Sequence, residues 1–358
     1  MARIASVTAT PFTLPLKGAL RWGRASELRQ LAHVLVSVHD DAGRVGVAEA
    51  PVRPTIYGET VRSVTAILEE HLGPPLVGLE VADAAAQAAV LAGVPNNPCA
   101  KGALDIALCE LRALESGRTL FEAERGLRER IPVSFILGMD ALEATLQEAE
   151  RVYAAGVRVF KVKVGRDPAH DARVLGALKH LFAGAGVTLY ADANESFAPE
   201  TAARELARLA RLGVAYVEEP LPVHLLKARA ALRAAAVLPI VADDACFTLP
   251  DLLRELEAET FDILNIKTAR TGFSTSQRML TLAREAGKGV MVGSQASAGL
   301  GTLHAAIFSS KEGVTHPCEL SFPLKLARDL LSAPLRFREG FLEVASLREL
   351  HLELRENP

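Results

Sequence analysis

Residues 158–164 read Arg158-Val159-Phe160-Lys161-Val162-Lys163-Val164, a short run rich in β-branched and aromatic residues. Side chains alternate faces along a strand, so Lys161 and Lys163 point the same way. Alone, such a run reads as a solvated edge strand, and its surroundings change that reading. Further β-rich runs at 131–138, 187–193, 214–220, 238–244, 261–268, 288–293 and 314–321 alternate with longer Ala/Leu/Arg/Glu segments of helical character. This alternation marks βα units and a parallel sheet. With the run at 157–164, eight strands follow in unbroken succession and predict an α/β fold, a closed (β/α)8 TIM-type barrel over residues 126–325. An open doubly wound sheet is the structural rival, but no GxGxxG follows the first strand and no GxxxxGK[ST] occurs.

Upstream, residues 1–125 read as an α+β capping domain. Its strands are expected at 2–16, Leu31–His39 and Arg44–Ala50, the last two joined by Asp40-Asp41-Ala42-Gly43, in which Gly43 supplies a positive φ. Lys17–Arg29, which holds the single tryptophan Trp22, reads as a long polar loop, and Arg53–Glu59 as another. Helical periodicity follows near 59–73, 82–93 and 98–115. The C-terminal segment 326–358 is expected to return to the cap.

The composition excludes several classes. The 358 residues carry a net charge of −3, with 49% hydrophobic and 23% charged residues, too apolar for disorder. A near-neutral balance with 5% aromatics lacks the footprint of a nucleic-acid binder. No apolar run approaches the ~18 residues of a membrane helix, and Met1–Leu20 lacks a signal-peptide core, so a cytoplasmic protein is expected. Cys99, Cys109, Cys246 and Cys318 are scattered without CxxC spacing and read as free thiols.

The barrel reading gathers isolated charged residues into one constellation. Asp192, Glu218, Asp243 and Lys267 each end a strand, at successive spacings of 26, 25 and 24 residues, about one βα unit each. Barrel enzymes keep their chemistry at that C-terminal mouth. Three carboxylates on adjacent strands repel unless a cation sits between them, and a hard divalent ion, Mg²⁺ by default or Mn²⁺, suits oxygen ligands. Strands 2 and 6 lie opposite in an eight-strand ring, so Lys163 and Lys267 are expected to face each other across the metal arc. That arrangement suits removal of a proton next to a substrate carboxylate, with the enolate charge held by the ion. Lys161 is expected to depress the pKa of Lys163 toward the range of a base.

With these residues in hand, the sequence resembles the enolase superfamily, and within it the muconate-lactonizing enzyme subgroup of the mandelate racemase/muconate lactonizing enzyme family. Lys161-Val162-Lys163 is similar to the subgroup's Lys-x-Lys motif, whose second lysine is an acid/base residue. Asp192, Glu218 and Asp243, in Asp-Ala-Asn, Glu-Glu-Pro and Ala-Asp-Asp contexts, resemble the three metal ligands, with Asp244 an outer neighbour. Lys267, in Asn-Ile-Lys-Thr-Ala-Arg-Thr-Gly, matches the second acid/base lysine. The superfamily's use of Lys or His bases with Mg²⁺ to stabilise an ene-diolate is a general pattern.

The resemblance implies an Mg²⁺-dependent isomerase of a small carboxylate: first a muconate-type cycloisomerase, alternatively a racemase or epimerase of an N-acyl amino acid or other amino-acid derivative, or an o-succinylbenzoate synthase-type dehydratase. Homo-oligomers are expected, without nucleic-acid or membrane partners. Glu319-Leu320-Ser321 stands where dipeptide epimerases carry Asp-x-Asp, and Gln295-Ala296-Ser297 where muconate-lactonizing enzymes often carry a glutamate. Candidate substrate contacts are Arg21, Trp22, Arg24, Arg53, Tyr57, Ser297, Glu319 and Ser321, the arginines as partners for a distal carboxylate. His304 and His316 read as core or helix-surface residues. The rival from another class is a barrel that binds a carboxylate without turning it over.

Overall fold

The computed structural model describes residues 1–22, 26–124 and 126–350. Its cap sheet is antiparallel, in the order β1 (Ile4–Trp22), β2 (Ser26–Asp40), β3 (Val45–Ala50). Asp40 shapes the β2–β3 turn by accepting N–H bonds from Ala42 and Arg44 at 3.0 and 2.8 Å, and Gly43 adopts φ 83°. Period-two alternation gives β2 two cores. Val34, Val36 and Val38 belong to the main core with Leu104, Ala107 and Leu111 of the helix Pro98–Glu115. Leu31 and Leu35 join Phe12, Leu14 and Leu20 in a second core with Ala298, Leu300 and Phe322 of the barrel.

The expected loop at Lys17–Arg29 is largely strand. After an irregularity between Pro15 and Leu20, the β1–β2 ladder continues through Leu20–Leu28, Arg21–Glu27 and Trp22–Ser26. A two-stranded ribbon satisfies its backbone groups across the ladder whatever its side chains, so polarity misled the reading. The Arg53–Glu59 stretch likewise contains a one-turn helix, Pro54–Tyr57, stopped by Gly58 at φ 73°.

After β4 (Arg130–Pro132), the barrel strands are β5 (Ser134–Leu137), β6 (Val159–Lys163), β7 (Thr188–Asp192), β8 (Val214–Glu218), β9 (Ile240–Ala242), β10 (Ile263–Ile266) and β11 (Gly289–Val292). They form one parallel sheet in chain order, with helices between successive strands. The eighth position corrects the expectation of a regular strand at 314–321. There the chain closes the ring through a single bridge, Cys318 to Val133, with Glu319 N–H donating to Val292 O at 2.9 Å. Val159, Tyr190, Tyr216, Val241, Ile263 and Met291 pack together as one cluster inside the ring, with the Tyr190 and Tyr216 rings stacked at 4.6 Å. This apolar floor fills the barrel, as such interiors require.

The C-terminal segment meets the cap where Leu16 bridges Leu326 and Ala327 N–H donates to Pro15 O at 2.9 Å, and again where the Arg348 guanidinium lies 4.8 Å over the Phe121 ring. Between these contacts it forms a hairpin, β12 (Phe337–Arg338) and β13 (Phe341–Glu343), whose second strand pairs with β4 rather than with the cap. The cap helix Pro98–Glu115 is fastened to the barrel helix Thr268–Glu285 by Asp105, which accepts from Ser274 N–H and Oγ at 2.9 and 2.6 Å. Gly272, at φ 62°, kinks that barrel helix against Asp105, and no side chain would fit there. Among the described residues no helix is long and apolar enough to cross a membrane. The four cysteines are free, Cys109 half-buried and the others buried.

Glu110 is a fold-level titration site. Its carboxylate accepts the Val47 N–H at 2.6 Å, and burial pushes its pKa to about 7. A carboxyl with a raised folded pKa destabilises the fold as pH rises from its unfolded value through the folded one. Glu110→Gln should therefore raise stability by about 1–2 kcal/mol at pH 8 and by almost nothing at pH 4.5. Thermal unfolding at the two pH values checks this; an equal shift at both would refute it.

Candidate active site

The parallel register sets the site. Lys163 pairs with Asp192 across β6–β7, and Asp192 with Glu218 across β7–β8, so three charged residues fall in one row at the strand ends. Asp243 follows β9 and Lys267 follows β10. Backbone geometry is strained beside them: Asn194, Glu195, Glu219 and Ala296 adopt φ of 43°, 62°, 37° and 55°. For residues other than glycine such angles are costly and cluster at functional sites.

A cavity of about 230 Å³ opens on this row. The barrel contributes Lys161, Lys163, Asp192, Asn194, Asp243, Asp244 and Lys267, and the cap contributes Leu20, Arg53, Thr55, Ile56 and Tyr57. Ile136, Ser294, Gln295, Ala296 and Phe322 complete the wall. One cavity thus holds Lys163, Lys267 and two of the three candidate metal ligands, Asp192 and Asp243, while the third, Glu218, is bonded to Lys161 off the wall.

Lys161 does not act on Lys163 as a neighbouring free cation. Its ammonium donates to Glu218 at 2.9 and 3.1 Å, lies 3.2 Å from Asp192 Oδ2 and forms a third ion pair with Glu319. Burial works against its charge, but Glu218, Glu319 and Asp192 outweigh it and hold the pKa well above the usual lysine value. Lys163 donates to Asp192 at 2.6 Å and to Asn194 Oδ1 at 2.9 Å. Lys267 donates to Asp243 at 2.5 Å, and Arg270, one helical turn on, donates to the Asp243 carbonyl at 2.9 Å and lies 3.3 Å from its carboxylate. Burial opposes the charge of Lys267 as well, yet Asp243 raises its pKa. Lys161 is thus committed to three carboxylates, while Lys163 and Lys267 each donate to one acid of the row.

Among the described residues around Lys161 the acids outnumber the cations three to two, Lys163 being the second cation. Asp192, Glu218 and Glu319 are buried around the one ammonium of Lys161. Burial pushes the Glu218 carboxyl up despite Lys161, and Asp192, Glu319 and Asp243 push it further. Among the described residues no three His, Cys, Asp or Glu side chains stand grouped as a ready ion cage. The donor chemistry nevertheless fits a hard divalent ion: all-oxygen, anionic, buried, and with two of the acids already converging on one positive charge. Asp192, Glu218 and Asp243 are the residues that would hold it.

The expected substrate contacts divide. Tyr57 lies in the cavity wall, its hydroxyl bonded to Gln295 Nε2 and its ring edge-on to Phe247 at 5.4 Å. Burial pushes its pKa up to about 12. Arg53 also borders the cavity, but its donors are spent on Val52 O and Gln295 O at 2.5 Å each, Ala296 O at 2.9 Å and His33 at 2.9 Å. Arg21 lies outside the wall, paired with Glu27 and Asp140 at 2.7 and 2.9 Å. Glu319 and Ser321 sit behind it: Glu319 accepts from Tyr190 and Ser294 N–H at 3.0 and 2.7 Å, and Ser321 donates to Ser134 O at 2.6 Å. Ser297 is buried beside Gly301 and off the cavity wall. Arg24 and the Trp22 side chain lie outside the described residues. His304 is buried edge-on to Phe273 at 6.4 Å, and His316 packs on Tyr216 at 5.9 Å.

Sequence reasoning passed over Asn194, Arg270 and Ser294 as site residues. The first two carried a signal, two residues after Asp192 and three after Lys267.

Residues 144–349 match the family model described as Enolase C-terminal domain-like, and residues 9–122 match that of the Mandelate racemase / muconate lactonizing enzyme, N-terminal domain. The chain belongs to the mandelate racemase/muconate lactonizing enzyme family. It is an isomerase of the enolase superfamily, as are relatives that include muconate cycloisomerases, dipeptide epimerases and an N-succinylamino acid racemase. An L-Ala-D/L-Glu epimerase of Bacillus subtilis is 30% identical, over 92% of this chain and 90% of its own. The muconate lactonizing enzyme of Mycobacterium smegmatis, solved with muconolactone, superposes with a TM-score of 0.91 at 33% identity, covering 98% of this chain and 97% of that one. A dipeptide epimerase of Cytophaga hutchinsonii, solved with Mg and D-Ala-L-Val, gives a TM-score of 0.88 at 25% identity, over 95% and 93%. In this family member the lysine pair and the acid row therefore occupy the mouth of a barrel shared with enzymes of several substrates.

Proposed function

We propose that this isomerase transfers a proton at the carbon next to the carboxylate of a small substrate, using Mg²⁺ or Mn²⁺ held by Asp192, Glu218 and Asp243. One observation carries the reading: Lys163 and Lys267 enter a single cavity from β6 and from the end of β10, four places apart in the ring, each bonded to an acid of the intervening arc. The ion, when bound, supplies positive charge where an enolate develops. The chain does the rest. Lys163 and Lys267 give up or return a proton on opposite sides of the substrate. Asn194 orients Lys163, Arg270 keeps Asp243 charged, and Tyr57 and Ile56 roof the cavity against water.

Among specific reactions, muconate-type cycloisomerisation stands first, supported by the likeness to the M. smegmatis enzyme across nearly the whole chain. The paired lysines support a second reading, racemisation or epimerisation of an amino-acid derivative such as an N-acyl amino acid. The test is α-proton exchange in D₂O with Mg²⁺ across muconates, N-acyl amino acids and dipeptides. Lactone formation from a muconate would establish the first reading, and deuterium in both enantiomers of an N-acyl amino acid the second. Metal binding without exchange on any compound would leave a carboxylate-binding barrel and refute both.

A further inference from the structure

Glu49 on β3 is not part of the acid row, yet it is buried and fully engaged. Its Oε1 accepts the Ala298 N–H at 2.7 Å and its Oε2 the Gly301 N–H at 2.8 Å, where the barrel helix Gly299–Ser309 begins. A cap residue thus neutralises the positive start of a barrel helix. His33 Nδ1 stands 2.5 Å from the same carboxylate, and its Nε2 lies 2.9 Å from Arg53 Nη1. A guanidinium has only donors, so Nε2 must accept and Nδ1 must carry the ring proton. Burial and the adjacent Arg53 lower the His33 pKa, consistent with a neutral ring. The order Glu49–His33–Arg53 is then a closed relay, ending on the carbonyls of Gln295 and Ala296.

The Arg53 end of that relay touches the cavity wall. Arg53 immediately precedes the Pro54–Tyr57 turn that contributes Thr55, Ile56 and Tyr57, and the carbonyls it grips belong to the loop that contributes Gln295 and Ala296. We infer that His33 is a positioning residue: through its Nδ1–H tautomer it holds Arg53 and Glu49 in register, and so fixes the 53–57 segment against the 294–301 segment as one substrate-enclosing wall. Neither a carboxylate nor a guanidinium could substitute for it, because the position needs one donor and one acceptor on opposite sides of a flat ring.

Amide hydrogen exchange of the intact protein tests this without a substrate. His33→Leu should speed exchange about tenfold or more in peptides covering 53–57 and 295–301 together, leaving 159–163 and 188–192 at wild-type rates. Arg53→Lys, which keeps the charge and leaves β2 untouched, should loosen the same two segments. Val36→Ala in the same strand is the control for general weakening and should not single them out. On the substrate identified by the D₂O screen, a readout that rests on the proposed function, His33→Leu should raise KM about tenfold with kcat within about threefold. Wild-type exchange in the two segments, or a uniform rise matching Val36→Ala, would overturn the relay even if the proposed reaction were correct. A failed screen would leave the exchange result to stand alone.

Discussion

Lys163→Ala and Lys267→Ala should each cut turnover about 10²–10⁴-fold, the range expected for loss of a positioned acid or base. The structure separates this from damage to the fold, because each change leaves its carboxylate partner with another cation. Asp192 keeps Lys161 at 3.2 Å, and Asp243 keeps Arg270 at 3.3 Å. Neither variant strands a buried charge, so unfolding midpoints should stay close to wild type. The two should differ in what survives. If the reaction is a two-base racemisation, each variant should lose α-proton exchange with one enantiomer and retain it with the other. If it is a cycloisomerisation with Lys163 as the proton-transferring group, lactone formation should survive Lys267→Ala in part and fail in Lys163→Ala. Retention of full turnover by both variants would remove the lysines from the chemistry.

The acid row was legible because strand-end residues repeat once per βα unit, and a spacing near 25 residues is visible in one sequence. Parallel register then does the placing. The closure of the ring was harder to read: 314–321 supplies apolar residues, but Pro317 interrupts it and only Cys318 makes a ladder bridge. Lys17–Arg29 failed for the opposite reason, since backbone pairing stabilises a ribbon whose side chains read as loop. The roles of the arginines were not legible at all. Arg21 and Arg53 look alike in sequence, and what separates them is partners 119 and 242 residues away, Asp140 and the Gln295 carbonyl. Glu49 and His33 were invisible as a relay for the same reason, because Glu49 meets Ala298 across 249 residues. Periodic local patterns reveal the scaffold and the residues it repeats; contacts between distant segments do not leave a pattern to read.

Lys161→Met should lower stability by about 3–5 kcal/mol in the presence of a chelator, the cost of breaking a buried ion pair by removing one partner. The magnitude follows from the surroundings. Three buried carboxylates share that one ammonium, and among the described residues only Asp192 has a second cation, Lys163, within hydrogen-bonding distance. Millimolar Mg²⁺ should recover most of the loss, because a divalent ion on Asp192, Glu218 and Asp243 replaces the missing charge and binding to the folded state alone is stabilising. Adding Glu218→Gln to Lys161→Met should lessen the loss in chelator, by removing one uncompensated charge, and also abolish the Mg²⁺ recovery. That opposite response distinguishes a cation site from a general electrostatic effect. Thermal melts of the single and double variants with EDTA and with Mg²⁺ provide the measurement. If Mg²⁺ leaves the Lys161→Met midpoint where EDTA puts it, the acid row does not hold the ion, and Lys161 is simply the permanent counter-charge of the barrel.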